Sequence, residues 1–286
     1  MPVLAENHYG KSSVRLVKVV REGPLHHLYE WNVNVYLTGD FTACFVDGDN
    51  TGLLATDTMK NTVYAVARTS TATTPEAFAL ELAEFLAGRN QQIASVRVAI
   101  EEKTWIRIKT GPSQEKHGSA FLQRGPDVHT TSVTLPQGET PTIVSGVKGL
   151  VILKTSHSAF AGFKRDELTT LPETFDRLFG TEATIDWTYT ALPTNPAATR
   201  SEIMDTLLTT FANHDSLSVQ QTLYAMAQAV LETQPEVLEM TLTMPNRHNI
   251  PVDFSRNGPP FNYPPDNSIF VPQDEPHGLI QARVTR

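Results

Sequence analysis

Trp31, Val33, Val35 and Leu37 alternate with Asn32, Asn34 and Tyr36. A period of two sends alternate side chains to opposite faces of an extended chain, so this stretch predicts a strand with one face buried. Val14 to Arg21 reads as its hairpin partner, joined through Arg21-Glu22-Gly23-Pro24, where Gly and Pro break a ladder and reverse the chain. Two helices are predicted next. The first begins near Thr56-Asp57 and carries Met59, Val63 and Val66 on one stripe. The second has Thr74 as N-cap, Pro75 at its first position, an apolar face of Phe78, Leu82, Phe85 and Leu86, and Gly88 just past its end. Strands follow from Ser95 to Ile108 and from about Gly118 to Leu135, bounded by Gly111-Pro112 and Pro136-Gln137-Gly138.

The same order then recurs. Strands at roughly 143 to 155 and 183 to 192, the latter with Ile185, Trp187 and Tyr189 alternating with Asp186 and Thr188, precede a helix with Ile203, Leu207, Leu208 and Phe211 on one face. A second helix opens with a capping box, Ser218 followed three residues on by Gln221, and has the stripe Val219, Leu223, Met226 and Val230. Leu238, Met240, Leu242 and Met244 alternate with Glu239, Thr241 and Thr243 in another strand, and Gly278 to Val284 forms the last. The stretch 251 to 276, rich in Pro, Asn and Asp, reads as an ordered loop. Both halves therefore read β-β-α-α-β-β, an α+β architecture of two domains, 1–138 and 139–286. Helices on one side of an antiparallel sheet leave its other face and two edges to be covered. Closure into a barrel by pairing halves and subunits is the simplest solution, so an oligomer is expected.

Charge narrows the possible partners. With 23 Lys and Arg against 31 Asp and Glu, the net charge is −8 and the pI about 5.6, which argues against a nucleic-acid binder or a protein held on anionic lipid. A small anionic substrate stays open, because one buried arginine can hold it whatever the overall charge. Cys44 is the single cysteine, so neither an intrachain disulfide nor a thiolate metal cluster can form, and a reducing, cytoplasmic setting fits. No uncharged apolar run approaches the roughly 18 residues that span a bilayer. The final Ala282-Arg283-Val284-Thr285-Arg286 does not match a Ser-Lys-Leu peroxisomal signal. None of the nine histidines forms a His-x3-His or His-Glu-x-x-His pair, and His26-His27 would point to opposite faces of a strand. Glycine-rich phosphate cradles and a Gly-x-Ser-x-Gly elbow are also missing from the sequence.

Four stretches suggest chemistry. Tyr9-Gly10-Lys11 places a lysine where the chain enters its first strand, and Thr56-Asp57 stands at a helix N-terminus, whose free N–H groups favour an anionic ligand. Ser158 to Phe163 and Thr169 to Arg177 put an aromatic, Phe160, and a guanidinium, Arg177, in one connection between strands. Pro245-Asn246-Arg247-His248 directly follows a well-patterned strand. Taken singly, each also reads as a solvated lysine, a helix cap, a core Phe with a surface Asp–Arg pair, and a turn.

In their order and spacing these stretches, together with Ala55 to Thr62, Leu150 to Arg177 and the final Gly278-Leu279-Ile280, resemble the urate oxidase (uricase) family over nearly the whole chain. The resemblance implies two tandem T-fold (tunnelling-fold) domains, assembled as a homotetramer around a barrel tunnel. It also implies oxidation of urate by molecular oxygen to 5-hydroxyisourate and hydrogen peroxide, with no metal or organic cofactor. Lys11, Thr56 and His248 would form a proton relay. Arg177 and Gln220 would clamp the purine edge, Phe160 would stack on its ring, and Asn246 would donate to the dioxygen or water position. Thr56 and Asp57 would come from the neighbouring subunit, and Val219 would complete the binding set through its backbone. The chemistry suits those types: an arginine fork and an amide both match a lactam edge, an aromatic face holds a purine, and a lysine acts as base where desolvation or a neighbouring cation lowers its pKa. The chain departs from the family signature at Ser156 and Leu168, neither of which has a proposed role. Two other readings compete: a zinc-dependent T-fold hydrolase of pterins or purines, for which paired ligands are lacking, and a barrel that binds a purine without turning it over.

Overall fold

The computed structural model describes residues 2–266 and 268–286. The chain divides into two compact units, one formed by residues up to Lys148 with Asp186–Thr199, the other by Gly149–Ile185 with Arg200–Arg286. Strands β5 (Thr142–Lys154) and β6 (Phe179–Tyr189) each contribute residues to both.

In the first unit, β1 (Tyr9–Val20), β2 (His27–Gly39), β3 (Ile93–Thr110) and β4 (Glu115–Pro136) pair antiparallel in chain order, and β4 pairs in turn with the first half of β5. The predicted alternation in β2 holds: Trp31, Val33, Val35 and Leu37 are all buried. Helix α2 (Thr56–Thr69) packs on β1, and α3 (Pro75–Arg89) packs on β3 and β4. Trp31 stacks on Phe78 of α3 with ring centroids 4.9 Å apart, and its indole N–H donates to Glu102 Oε1 at 2.9 Å, so this buried ring has its polar atom satisfied. Thr74 caps α3 by accepting from the Ala77 N–H, with Pro75 in the first turn, as the sequence predicts. The helix runs through Gly88 to Arg89. Phe85 lies at the margin of a stripe centred on Ala79, Leu82, Ala83 and Leu86; it is 41% exposed and carries the Arg89 guanidinium 5.2 Å from its ring centroid. A short helix α1 (Thr42–Val46), only five residues long, gives no periodicity from which to predict it.

In the second unit, α4 (Pro196–Asn213), whose first residues, to Thr199, belong to the first unit, and α5 (Val219–Thr233) precede β7 (Val237–Pro251) and β8 (Phe270–Thr285), which pair antiparallel. Helix α5 packs on both strands. Leu223, Met226 and Val230 meet Met240, Leu242 and Met244 in a fully buried layer, and Phe211 packs edge-on against Phe179. At the start of β7 it is Val237 that points inward, while Leu238 is exposed. Both strands run further than their alternation suggests. Strand β7 continues through Pro245-Asn246-Arg247-His248, and β8 begins at Phe270, because pairing across a register shift between Asn246 and His248 resumes the ladder. The remaining loop is tied by backbone bonds from Val252 N–H to Ile269 and from Phe254 N–H to Tyr263; residue 267, inside the predicted 251–276 loop, lies outside the described residues. Among the described residues no helix is long and apolar enough to cross a membrane.

One glycine is fixed by a close approach. A Cβ on Gly10 would stand 1.9 Å from the Val35 carbonyl oxygen, a backbone atom that cannot step aside. Gly10→Ala is expected to lower unfolding stability by at least about 2 kcal/mol through overpacking, whereas Gly52→Ala, with nothing within 4 Å, stays within about 0.5 kcal/mol of wild type. Denaturant unfolding of both variants checks this, and equal stability of Gly10→Ala and wild type would contradict it.

Candidate active site

The nine residues singled out from sequence divide between the units: Lys11, Thr56 and Asp57 lie in the first, and Phe160, Arg177, Val219, Gln220, Asn246 and His248 in the second.

Lys11 stands on β1 opposite Val35, where a bulge begins. Ser13 takes a left-handed φ of 59° there, and its N–H donates to Asn34 Oδ1 at 2.9 Å, so the strand is bent just beyond the lysine. Thr56 opens α2 and Asp57 follows in its first turn. Lys60 holds the Asp57 carboxyl below the ordinary aspartate range, chiefly through a hydrogen bond, with smaller contributions from Asn61 and from the charge of Lys11. That last contribution places Lys11 within electrostatic reach of the α2 N-terminus in the same chain. A residue not assigned from sequence links the two elements: the Tyr9 hydroxyl accepts from the Leu54 N–H at 2.9 Å, and Tyr9 packs edge-on against buried Phe41. Burial raises the Tyr9 pKa. Its position next to Gly10-Lys11 was the one available signal.

The second group is built on three segments held by main-chain bonds. Phe160 forms an antiparallel bridge with Thr174, with bonds of 2.7 and 3.0 Å in the two directions. Arg177 N–H donates to the Ser158 carbonyl at 2.8 Å, and Ala159 N–H to the Ser216 carbonyl at 2.7 Å. These bonds bring Phe160 and Arg177 together, with the guanidinium carbon 5.5 Å from the ring centroid, and moor both to the segment that leads into α5. Burial pushes the Arg177 pKa down, and its Nε is buried with no partner among the described residues. A buried donor left unpaired costs about 1–3 kcal/mol, so this atom is poised for an acceptor from a ligand.

At the start of α5 the predicted cap is present in a shifted form. Ser218 accepts from the Gln221 N–H at 3.1 Å, while the Gln221 side chain reaches back to the N–H of Leu217 at 2.9 Å. Val219 is buried and Gln220 exposed, so the amide projects from the first turn and the apolar neighbour anchors it. The first backbone N–H groups of a helix have no intrahelical acceptor, which leaves those of Val219 and Gln220 for a ligand.

Asn246 and His248 flank the register shift in β7, opposite Gly278 and Gln273. Asn246 is 9% exposed and His248 half-buried. A Cβ on Gly180 would meet the Arg247 carbonyl and the Asn249 side chain, and Arg247 pairs with Glu182. The start of β6, two residues beyond Arg177, therefore runs beside the His248 stretch. Among the described residues no three His, Cys, Asp or Glu side chains gather as a metal site requires. What the second unit offers is an aromatic face, a planar donor fork with a spare donor, an amide at a helix N-terminus, a nearly buried amide and an imidazole. Those groups suit a flat, electron-rich, hydrogen-bonding ring.

Comparison with known proteins gives the same family. A family profile described as Uricase matches residues 7–134 and 143–281. The uricase of Arthrobacter globiformis is 39% identical over 284 residues, covering 99% of this chain and 90% of the relative, and that of Dictyostelium discoideum is 36% identical over 289 residues, covering 100% and 98%. The crystal structure of the Arthrobacter globiformis uricase superposes with a TM-score of 0.93 at 38% identity, covering 100% of this chain and 96% of that one. The urate oxidase structure from Bacillus sp. TB-90 follows at 0.84 and 25% identity, covering 98% and 100%. The chain, a mixed α/β protein built on antiparallel strands, belongs to the uricase family.

Proposed function

We propose that this protein oxidises urate with O2 and water to 5-hydroxyisourate and hydrogen peroxide, using its own side chains and neither metal nor organic cofactor. The observation that carries the reading is Arg177: a half-buried side chain whose buried Nε has no partner among the described residues, beside the ring of Phe160. An aromatic platform with an adjacent planar cation selects a flat anion that presents both acceptors and a π-face. Gln220, which both donates and accepts, completes the purine edge with the backbone at Val219, and Asn246 donates to the dioxygen or water position.

Electron transfer from urate to O2 needs a more electron-rich substrate than the monoanion, so a proton must first be removed. Lys11, Thr56 and His248 relay it: the amine takes the proton, the hydroxyl passes it, and the imidazole accepts and returns it. Two electrons leave the purine and reduce O2 to peroxide. Water adds at C5, and the protons released by substrate and water complete H2O2. The relay draws on both units, with Lys11 and Thr56 in one and His248 in the other. In this reading the chain forms two tandem T-fold domains, residues 1–138 and 139–286. The chain assembles as a homotetramer whose sheets close into a barrel, and each site lies at a subunit interface where Thr56 and Asp57 of one protomer face Arg177 and His248 of its neighbour. A single cysteine, Cys44, suits a cytoplasmic setting.

Purified protein incubated with urate after treatment with a chelator is expected to consume urate and O2 together, followed by urate absorbance and an oxygen electrode. Loss of turnover on chelation would favour a metal-dependent reaction, and no turnover at all would contradict the proposal. Among variants, Lys11→Met should lower kcat by about 10²–10⁴-fold with little change in KM. Arg177→Gln should raise KM by about 10- to 100-fold, the loss of a charge-assisted hydrogen bond. Steady-state kinetics separates the two effects, and an unchanged kcat in Lys11→Met would remove the relay assignment.

A further inference from the structure

The connection from Ser158 to Arg177 contains a second aromatic ring that the functional assignment leaves unused. Phe163 stacks on Phe160 with centroids 4.9 Å apart and planes 11° from parallel. Beyond it, the Arg165 guanidinium carbon lies 5.5 Å from the Phe163 centroid. Arg165 is itself fixed, donating to the carbonyls of Leu171 at 3.0 Å and Thr169 at 3.5 Å. With Arg177 beside Phe160, four side chains form a continuous series: Arg165, Phe163, Phe160, Arg177.

The backbone is shaped to make this series. Gly162 takes φ +71°, a conformation that L-residues rarely adopt, and this turn brings two rings only three positions apart into a stack outside any helix. Its N–H donates to Glu173 Oε1 at 3.0 Å, which ties the turn to the segment that pairs with Phe160 through Thr174. The other large apolar side chains of the connection point outward: Leu168, Leu171 and Phe175 are 84%, 52% and 76% exposed. Phe160 and Phe163 are the two that do not.

We infer that Phe163, held by Arg165, is a positioning residue that sets the ring plane of Phe160 for substrate stacking. The inference rests on the urate reading of the site. The two main-chain bonds with Thr174 fix where Phe160 starts but leave its terminal torsion free, and torsions of that kind have broad wells. A flat ligand gripped at its edge by Arg177 gains from an aromatic platform only when the two planes are parallel. Phe163 supplies the parallel neighbour that selects that orientation, and Arg165 keeps Phe163 in place. Phe163 acts through Phe160 and takes no part in proton or electron transfer.

The test is a kinetic series on the full-length protein with urate: Phe163→Leu, Phe163→Tyr, Arg165→Gln and the double variant Phe163→Leu with Arg165→Gln. Phe163→Leu keeps an apolar side chain but loses the flat face, so KM should rise about fivefold with kcat nearly unchanged, the scale of one aromatic pair. Phe163→Tyr should restore the wild-type KM. Arg165→Gln, an exposed change that keeps the core intact, should raise KM about twofold and add nothing in the double variant, because it works only through Phe163. An unchanged KM in Phe163→Leu, no rescue by Tyr, or additive effects in the double variant would overturn the inference. If Phe163→Leu fails to fold, Arg165→Gln alone decides: the twofold rise supports the inference and an unchanged KM overturns it. A wild-type protein that does not oxidise urate overturns the functional reading itself, and this inference with it.

Discussion

A helix pair can cover only one face of the sheet on which it lies. In the first unit α2 and α3 lie on β1, β3 and β4, and in the second α5 lies on β7 and β8. The covered faces are fully buried, with Trp31, Val33, Val35, Met240, Leu242 and Met244 all closed to solvent. Elsewhere on the strands, Val17, Val151, Leu153, Leu238 and Leu279 remain 47–69% exposed. On the reading proposed here, association would cover some of these strand surfaces. The same constraint then dictates the chemistry: sheets that need a partner bring each protomer's half of the site against its neighbour's.

The division of labour between the halves follows from what each can hold in isolation. The first unit keeps a lysine, a hydroxyl and a carboxylate already ion-paired with Lys60. The second has the aromatic face and a guanidinium whose burial is not yet compensated by a hydrogen bond at Nε. On the reading proposed here the second unit grips the ring, while the proton relay draws on both, with Lys11 and Thr56 in the first unit and His248 in the second. A buried unpaired donor is costly by itself and becomes favourable once a ligand oxygen or nitrogen reaches it.

Much of this was legible in the sequence where local pattern alone decides structure. The alternation of β2, the Thr74-Pro75 start of α3 and the Ser218/Gln221 cap of α5 each depend on neighbours a few residues apart, and each is present. What failed to show depends on distant pairing. Strand β7 runs through Asn246 and His248 because β8 resumes its ladder beyond a register shift, which no local signal reports. Phe85 and Leu238 fit a periodic stripe yet face solvent, since the partner element, not the period, decides where the stripe ends. The site residues themselves came from motif resemblance. Chemistry alone would have left Lys11, Phe160 and His248 as an ordinary lysine, a core aromatic and a turn histidine. Tyr9 and Phe163 stood inside the quoted motifs without a role, because their contacts, to Leu54 and Phe41 and to Phe160 and Arg165, are set by the fold.

The central claim is that one site is assembled from two protomers, and co-expression of two crippled chains tests it most directly. Lys11→Met lowers kcat through one half and Arg177→Gln raises KM through the other, so at urate concentrations near the wild-type KM both parents are only weakly active. If the halves come from different subunits, mixed assemblies regain intact sites, up to roughly a quarter of the total for random pairing about a two-fold axis, and urate turnover reappears in the co-expressed oligomer. If each chain forms its own complete site, every site carries one lesion and the co-expressed protein is no more active than its separate parents, which would contradict the account.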